Sequence, residues 1–215
     1  MFDLDGTLID SSKDIIRLLI KAIRLSGFDI SDDVKIPIGP PLEEMIKSLI
    51  NNISDEDISN IVNCFRSLYK VEGVVDTTVY SGMIDFLKEL KTNGCKVFIV
   101  TFKPKNLCDA ITSKFFVGLY DDIVTPTDIV DFKKRKSKVD MYKLLQKKWN
   151  FSVDDCIMIG DAKSDVESAN SYGICSIGVT YGYSAKEDLV AAKYLVENVK
   201  QLKEKINYIW RKNEK

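Results

Sequence analysis

Between residues 82 and 180 the chain alternates short apolar runs with helical patterns, and that alternation restricts the fold more than any other feature. A helical stretch at 82–93 stops at Gly94 and leads into CKVFIVT at 95–101, a β-branched run too short for a helix. A helix follows, then DIVT at 122–125, a helix near 138–149, CIMIG at 156–160, a helix over 163–172 stopped by Gly173, and a further run at 174–179. Short apolar strands separated by helices read as parallel α/β structure.

Residues 11–80 interrupt the alternation with helices alone. SSKD at 11–14 reads as a helix start ahead of Ile15, Ile16, Leu18, Leu19, Ala22 and Ile23, with a stop at Gly27. GPPLEEMIKSLI at 39–50 places a proline in a first helical turn. SDED at 54–57 caps a third run through Ile58, Ile61, Val62, Phe65, Leu68 and Tyr69. The expected architecture is therefore α/β, a doubly wound parallel sheet built from 1–10 and 81–215. An all-helical cap domain, 11–80, is inserted after the first strand.

Composition removes several classes of function. Apolar residues make up 45% and charged residues 29%, which is globular rather than disordered composition. Lys plus Arg total 31 against 32 Asp plus Glu, so no global field argues for nucleic acid or a membrane surface. The cysteines, Cys64, Cys95, Cys108, Cys156 and Cys175, form no CxxC pair and are odd in number, which suits a reducing cytoplasm. The acidic start has no basic or apolar leader pattern, so no signal peptide is expected. IIRLLIKAIRL at 15–25 is too short and too charged to span a bilayer. Histidine is absent. Ser-His and Cys-His nucleophile systems and His-ligated zinc are thereby excluded, and acid–base work falls to carboxylates, lysines or tyrosines.

In doubly wound sheets, ligands bind outside the carboxyl ends of the strands. Asp3 and Asp5 in MFDLDGTLID follow the first strand, Thr101 ends CKVFIVT, Asp161 ends CIMIG, and Asp165 comes four residues later. Singly, each has an ordinary explanation: Asp-Gly is a common turn pair, and Asp161 or Asp165 can cap the helix near 163. Jointly they place several carboxylates in one crevice. A hard, oxygen-preferring cation relieves their repulsion, and Mg²⁺, which shares its shell with water and substrate phosphate, fits best.

DLDGT at 3–7, Thr101, a downstream lysine and GDAKSD at 160–165 together resemble the four motifs of the haloacid dehalogenase-like hydrolases. The resemblance covers almost the whole chain. GPPLE at 39–43, TFK at 101–103 and GVTYGY at 178–183 are similar to the phosphoglycolate phosphatase and 5′-nucleotidase-like branch. It implies a Rossmann-like core with a helical cap and a Mg²⁺-dependent phosphatase acting on a small phosphomonoester. In that reading Asp3 is the nucleophile that forms an aspartyl-phosphate; as a carboxylate, ionised at neutral pH, it needs no partner base. Asp5 protonates the leaving alcohol and then activates water. Thr101 binds phosphate through its hydroxyl and N–H, and Gly6, Thr7, Phe102, Lys103 and Lys138 line the substrate. Asp3, the Asp5 carbonyl and Asp161 ligate the metal, with Asp165 in its outer shell.

Two places depart from the family pattern. Many members carry Lys-Pro-x-Pro at the third motif, whereas this chain has KKRKSKVDMYKLL. Lys138, directly before the apolar helix positions, is the first choice for the motif lysine, and Lys136 the second by its spacing to Asp161. The run reads as a solvated loop rather than a nucleic-acid patch. Lys103 and Lys163 are additional cations that would draw in a phosphate or serve as surface charge. The second departure is the start, where only Met1 and Phe2 precede Asp3, against about 5–6 residues in an average strand. The expectation is that Met1 lies inside the natural reading frame, with a few apolar residues ahead of it. Gly39, Pro40 and Pro41 are candidates for a cap loop facing the crevice. The tail helix near 198–212, with Leu202, Ile206 and Ile209 on one side, is read as a packing helix.

The implied partner is a small phosphorylated metabolite, with no nucleic acid or membrane, for a monomer or small homo-oligomer. A phosphomutase is the nearest alternative, because it passes the same aspartyl-phosphate to a sugar. A catalytically silent phosphate-binding module is the alternative from another class.

Overall fold

The structure, a computed structural model, describes residues 1–129 and 137–213; Lys136, with most of the basic run at 132–138, lies outside the described residues. The chain forms two compact units, one of Met1–Asp10 with Val79–Lys215 and the other of Ser11–Thr78. Along the described chain run β1 (Ile9–Asp10), α1 (Ser12–Leu25), α2 (Leu42–Leu49), α3 (Asp55–Glu72), β2 (Thr78–Val79), α4 (Met83–Thr92), β3 (Phe98–Val100) and α5 (Lys105–Phe115). They are followed by β4 (Asp122–Val124), α6 (Val139–Trp149), β5 (Ile157–Gly160), α7 (Lys163–Tyr172), β6 (Cys175–Val179), β7 (Tyr194–Val196) and α8 (Val199–Asn213).

The larger unit is built on a parallel sheet. β3 pairs with β4, Ile99 opposite Ile123. β5 pairs with β6, Ile159 opposite Ile177, and β6 with β7, Gly178 opposite Leu195. Phe2 joins these halves through parallel bridges to both Ile99 and Ile159. Its N–H donates to Phe98 O at 2.8 Å and its carbonyl accepts from Val100 N–H at 2.8 Å. On the other side Asp3 N–H donates to Ile159 O, and Met1 O accepts from Ile159 N–H, both at 2.9 Å. The Met1 amino group itself donates to Ile157 O at 2.8 Å, continuing the ladder. The order is thus β4, β3, residues 1–3, β5, β6, β7, with the first residues of the chain at the centre.

Strand alternation sends these residues to opposite faces. Met1 joins a core with Met141, Tyr142 and Leu145 of α6 and Ala169 of α7. Phe2 meets Phe86 of α4 edge-on, ring centroids 6.3 Å apart. Both side chains are buried, and each contributes roughly 1.5–3 kcal/mol. Two residues with ladders on both sides therefore hold Asp3 at a fixed height at the sheet's carboxyl end. Outside the strands, Leu202 and Ile206 of α8 are buried and Tyr208 is exposed, the amphipathic pattern of a packing helix.

The smaller unit is helical. Leu18, Leu19, Ala22 and Ile23 of α1 and Ile58, Ile61, Val62, Phe65 and Tyr69 of α3 are its buried stripes. The α3 start is as expected, with Ser54 Oγ accepting from Asp57 N–H at 3.0 Å. Two starts differ. Ser11 makes no side-chain cap to α1. Instead the buried Asp14 accepts from Arg17 Nη2 at 2.7 Å, Thr77 Oγ1 at 2.7 Å and Asp76 N–H at 3.0 Å, tying the first turn of α1 to residues 76–77. Burial alone would raise the Asp14 pKa, but these donors outweigh it and hold the carboxyl below its ordinary value. Pro41 is the N-cap of α2, with ψ at 145°, not a first-turn residue. Its carbonyl accepts from Met45 N–H at 3.0 Å, so the helix begins one residue later. Gly39, Pro40 and Pro41 are exposed. No helix among the described residues is long and apolar enough to cross a membrane.

Candidate active site

The carboxylates at the strand ends converge. Asp3, Asp161 and Asp165 are all buried, and one oxygen from each lies within 4.8 Å of the others. Asp3 follows the central residues of the sheet, Asp161 follows β5, and Asp165 sits in the first turn of α7. Asp165 also caps that helix, its Oδ2 accepting from Ala162 N–H at 3.0 Å. The capping explanation is correct for this residue and compatible with a place in the cluster.

A single buried ammonium meets these groups among the described residues. Lys138, the N-cap of α6, is 1% exposed. Its Nζ donates to Asp3 Oδ1 and to Val100 O, both at 2.7 Å. It also lies 2.5 Å from Asp165 Oδ1, an ion pair between two buried side chains. Its charge sits 5.2 Å from the centre of the Phe102 ring. Burial would lower the lysine pKa, but Asp165 and Asp3 reverse this and raise it.

Three carboxylates against one ammonium leave the cluster with excess negative charge. Burial pushes the Asp3 carboxyl up to about 7, opposed by Lys138 and reinforced by Asp165. Burial pushes Asp161 up to about 8, with the Asp3 and Asp165 charges adding to it. Desolvation and the like charges of Asp165 and Asp5 thus oppose ionisation of Asp3, and Lys138 favours it. The all-oxygen donor set and the missing positive charge fit a hard divalent cation.

The DG turn is required by the site. Gly6 has φ +77°, and a Cβ on it would overlap the Asp161 carboxylate. Thr7 is buried and its hydroxyl donates to Asp161 Oδ1 at 2.9 Å, so its proton is directed at the carboxylate rather than at a substrate. Asp5 is held by Lys103, whose Nζ lies 3.0 Å from Oδ1 and 3.2 Å from Oδ2. The Lys103 side chain is only 7% exposed, so it is no surface charge. Lys163, in contrast, is exposed and lies 3.6 Å from Glu167, one turn along α7.

Thr101 departs from its expected role in one respect. Its N–H donates to Val124 O at 3.2 Å, because the β3–β4 pairing extends to this residue. The hydroxyl remains, accepting from Lys103 N–H at 3.2 Å. Gly182 and Tyr183 also belong to this site and were not among the expected residues. Tyr183 N–H donates to Asp161 Oδ2 at 2.8 Å. GVTYGY contains both, but a main-chain donor has no side-chain signature.

A sequence model of the family described as haloacid dehalogenase-like hydrolase matches residues 1–179. The chain is 28% identical over 198 residues to a 5′-nucleotidase of Pseudomonas aeruginosa, covering 89% of this chain and 86% of that one. It is 27% identical over 199 residues to a phosphoglycolate phosphatase of Colwellia psychrerythraea, covering 88% and 87%. The crystal structure of a "predicted phosphatase" from Clostridium acetobutylicum superposes with a TM-score of 0.82 at 30% identity, over 96% of each chain. The chain therefore belongs to the haloacid dehalogenase-like hydrolase family, as the motifs at 3–7 and 160–165 imply.

Proposed function

We propose that this protein is a Mg²⁺-dependent phosphatase that hydrolyses a small phosphomonoester, phosphoglycolate- or nucleotide-like, through an aspartyl-phosphate on Asp3. The observation that carries the reading is the buried cluster itself: Asp3 beside Asp161 and Asp165, with Lys138 donating to Asp3 and Lys103 holding Asp5. The doubly wound core and the reading of the helical unit as a cap are part of the same proposal.

Asp3, Asp161 and the Asp5 carbonyl would hold Mg²⁺, with Asp165 in the outer shell, and the cation would supply positive charge to a crowded phosphoryl group. An Asp3 carboxylate oxygen attacks phosphorus. The ester P–O bond breaks, and the leaving oxygen takes a proton from Asp5. Asp5, now a carboxylate, takes a proton from water as that water attacks phosphorus. The acyl-phosphate P–O bond breaks, releasing phosphate and restoring Asp3. Lys138 and the Thr101 hydroxyl stabilise the phosphoryl oxygens, and Lys103 sets the direction in which Asp5 faces. No histidine is needed at any step.

Asp5→Asn is expected to keep phosphate binding and lose about 10²–10⁴ in turnover, the span of a general acid–base group. Phosphate release from purified protein measures this, and near-normal turnover would remove Asp5 from the proton-transfer role.

The parent test is phosphate release from phosphoglycolate, nucleoside monophosphates, sugar phosphates and pyrophosphate, with Mg²⁺ and with EDTA. Release that disappears in EDTA is expected. No release from any of them would leave the binding-module reading, and conversion of a sugar phosphate to its isomer without release would establish the mutase.

Metal removal has a signed pH dependence. The folded pKa values of Asp3 and Asp161 lie above their ordinary value of 3.8, near 7 and 8. The folded state thus binds more protons between about pH 4 and 8, and stability falls as pH rises through that window. In EDTA the melting temperature should drop between pH 5 and 8. Saturating Mg²⁺ should remove most of that drop, because cation binding competes with the protons. Melts that run parallel with and without Mg²⁺ would show that the cation does not bind these carboxylates.

A further inference from the structure

Asp161, the residue after β5, is oriented by two donors from other parts of the chain. Thr7 Oγ1 donates to Oδ1 at 2.9 Å, and Tyr183 N–H donates to Oδ2 at 2.8 Å. Each oxygen of the carboxylate has one donor, so the plane of the group is fixed from two sides.

Tyr183 lies in the segment leaving β6, and that segment is anchored at several points. Thr180 N–H donates to Val196 O at 2.9 Å. The Tyr181 hydroxyl donates to Thr7 O at 3.1 Å, and its ring meets Tyr80 edge-on at 4.7 Å. The Tyr183 hydroxyl reaches Asp10 Oδ1 at 3.2 Å. Gly182, between these anchors, has no space for a side chain: a Cβ there would overlap both the Asp161 side chain and the Gly6 carbonyl oxygen. The segment therefore lies directly against Asp161 and the DG turn, in a contact that only glycine permits.

We infer that the Gly182–Tyr183 segment is a positioning element for Asp161 that sets the affinity of the site for its divalent cation. Groups that orient a metal ligand without touching the metal govern how well that ligand is presented. The segment reaches the carboxylate through a main-chain N–H, so its demand falls on a glycine that allows the approach. The inference rests on the Mg²⁺-dependent reading above.

The test compares wild type and Gly182→Ala by calorimetric titration with Mg²⁺ and by thermal melts in EDTA and in Mg²⁺. Gly182→Ala is expected to bind Mg²⁺ about 10–100-fold more weakly, the usual cost of disturbing such a partner. The rise in melting temperature produced by Mg²⁺ should shrink, and turnover should fall more at limiting than at saturating Mg²⁺. A purely structural role would lower the melting temperature equally in EDTA and in Mg²⁺ and leave the affinity unchanged, which overturns the inference. Should Gly182→Ala not fold, the wild type decides: its Tyr183 amide resonance should move during a Mg²⁺ titration, with the calorimetric midpoint. A resonance unmoved at saturation overturns the inference. A wild type that binds no Mg²⁺ overturns the metal-dependent reading and this inference with it. A magnesium-binding wild type and an equally binding, folded variant remove this inference alone.

Discussion

Asp3→Asn abolishes turnover while leaving the metal-free fold at least as stable as wild type. Activity falls by at least about 10⁴-fold, the scale of losing a covalent nucleophile, because an amide neither attacks phosphorus nor carries the charge a cation needs. Stability moves the other way. The Asp3 carboxyl is buried, and its pKa is pushed up to about 7 by that burial, with Asp165 adding to the effect. A neutral amide of the same shape avoids the cost of ionising there. Lys138 keeps Asp165 and Val100 O as partners. Phosphate release and a melt in EDTA read the two effects separately. Residual turnover of a few per cent would deny Asp3 the role of nucleophile, and a large fall in melting temperature would show that its charge is needed for folding.

Lys138→Met damages both activity and stability. The substitution leaves the carboxylates of Asp3 and Asp165 without the ammonium that lies 2.7 and 2.5 Å from them. Breaking a buried pair by removing one partner costs about 3–5 kcal/mol, because a charge is left buried and unpaired. Denaturant unfolding measures that loss, and it should be smaller in Mg²⁺ than in EDTA if the cation supplies some of the missing positive charge. Activity should fall far more than in Lys136→Ala. A larger loss for Lys136→Ala would move the third motif to the commoner spacing. Equal and mild effects would place it elsewhere in the run.

Local chemistry was legible from the amino-acid order. Each strand between 95 and 179 is an apolar run between turn residues, and β3, β4, β5 and β6 fall within those runs. The ends of α3, α4 and α7 follow from Ser54, Gly94 and Gly173, whose effects act within a turn of the chain. β7 was not among the expected strands; its three residues, Tyr194–Val196, pair with β6 in the folded sheet. The proline at α2 misled because Pro41 suits both a cap and a first turn, and only its ψ angle distinguishes them.

The sequence by itself determined which groups are available for chemistry: carboxylates, lysines and a strand-end threonine, with no histidine to share the work. It also determined the positions of most strands and helices, since these depend on neighbours a few residues away. Only the tertiary structure decided which charges meet. Lys138 and Asp3 are 135 residues apart in sequence and 2.7 Å apart in space; Lys103 and Asp5 are 98 residues apart and 3.0 Å apart. The sheet order, with residues 1–3 at its centre, brings these groups together, and burial then sets their proton affinities. The support of Asp161 by a main-chain N–H beside Gly182 belongs to the same class, because the donor is the backbone that every residue except proline shares, and only folding selects which one is used.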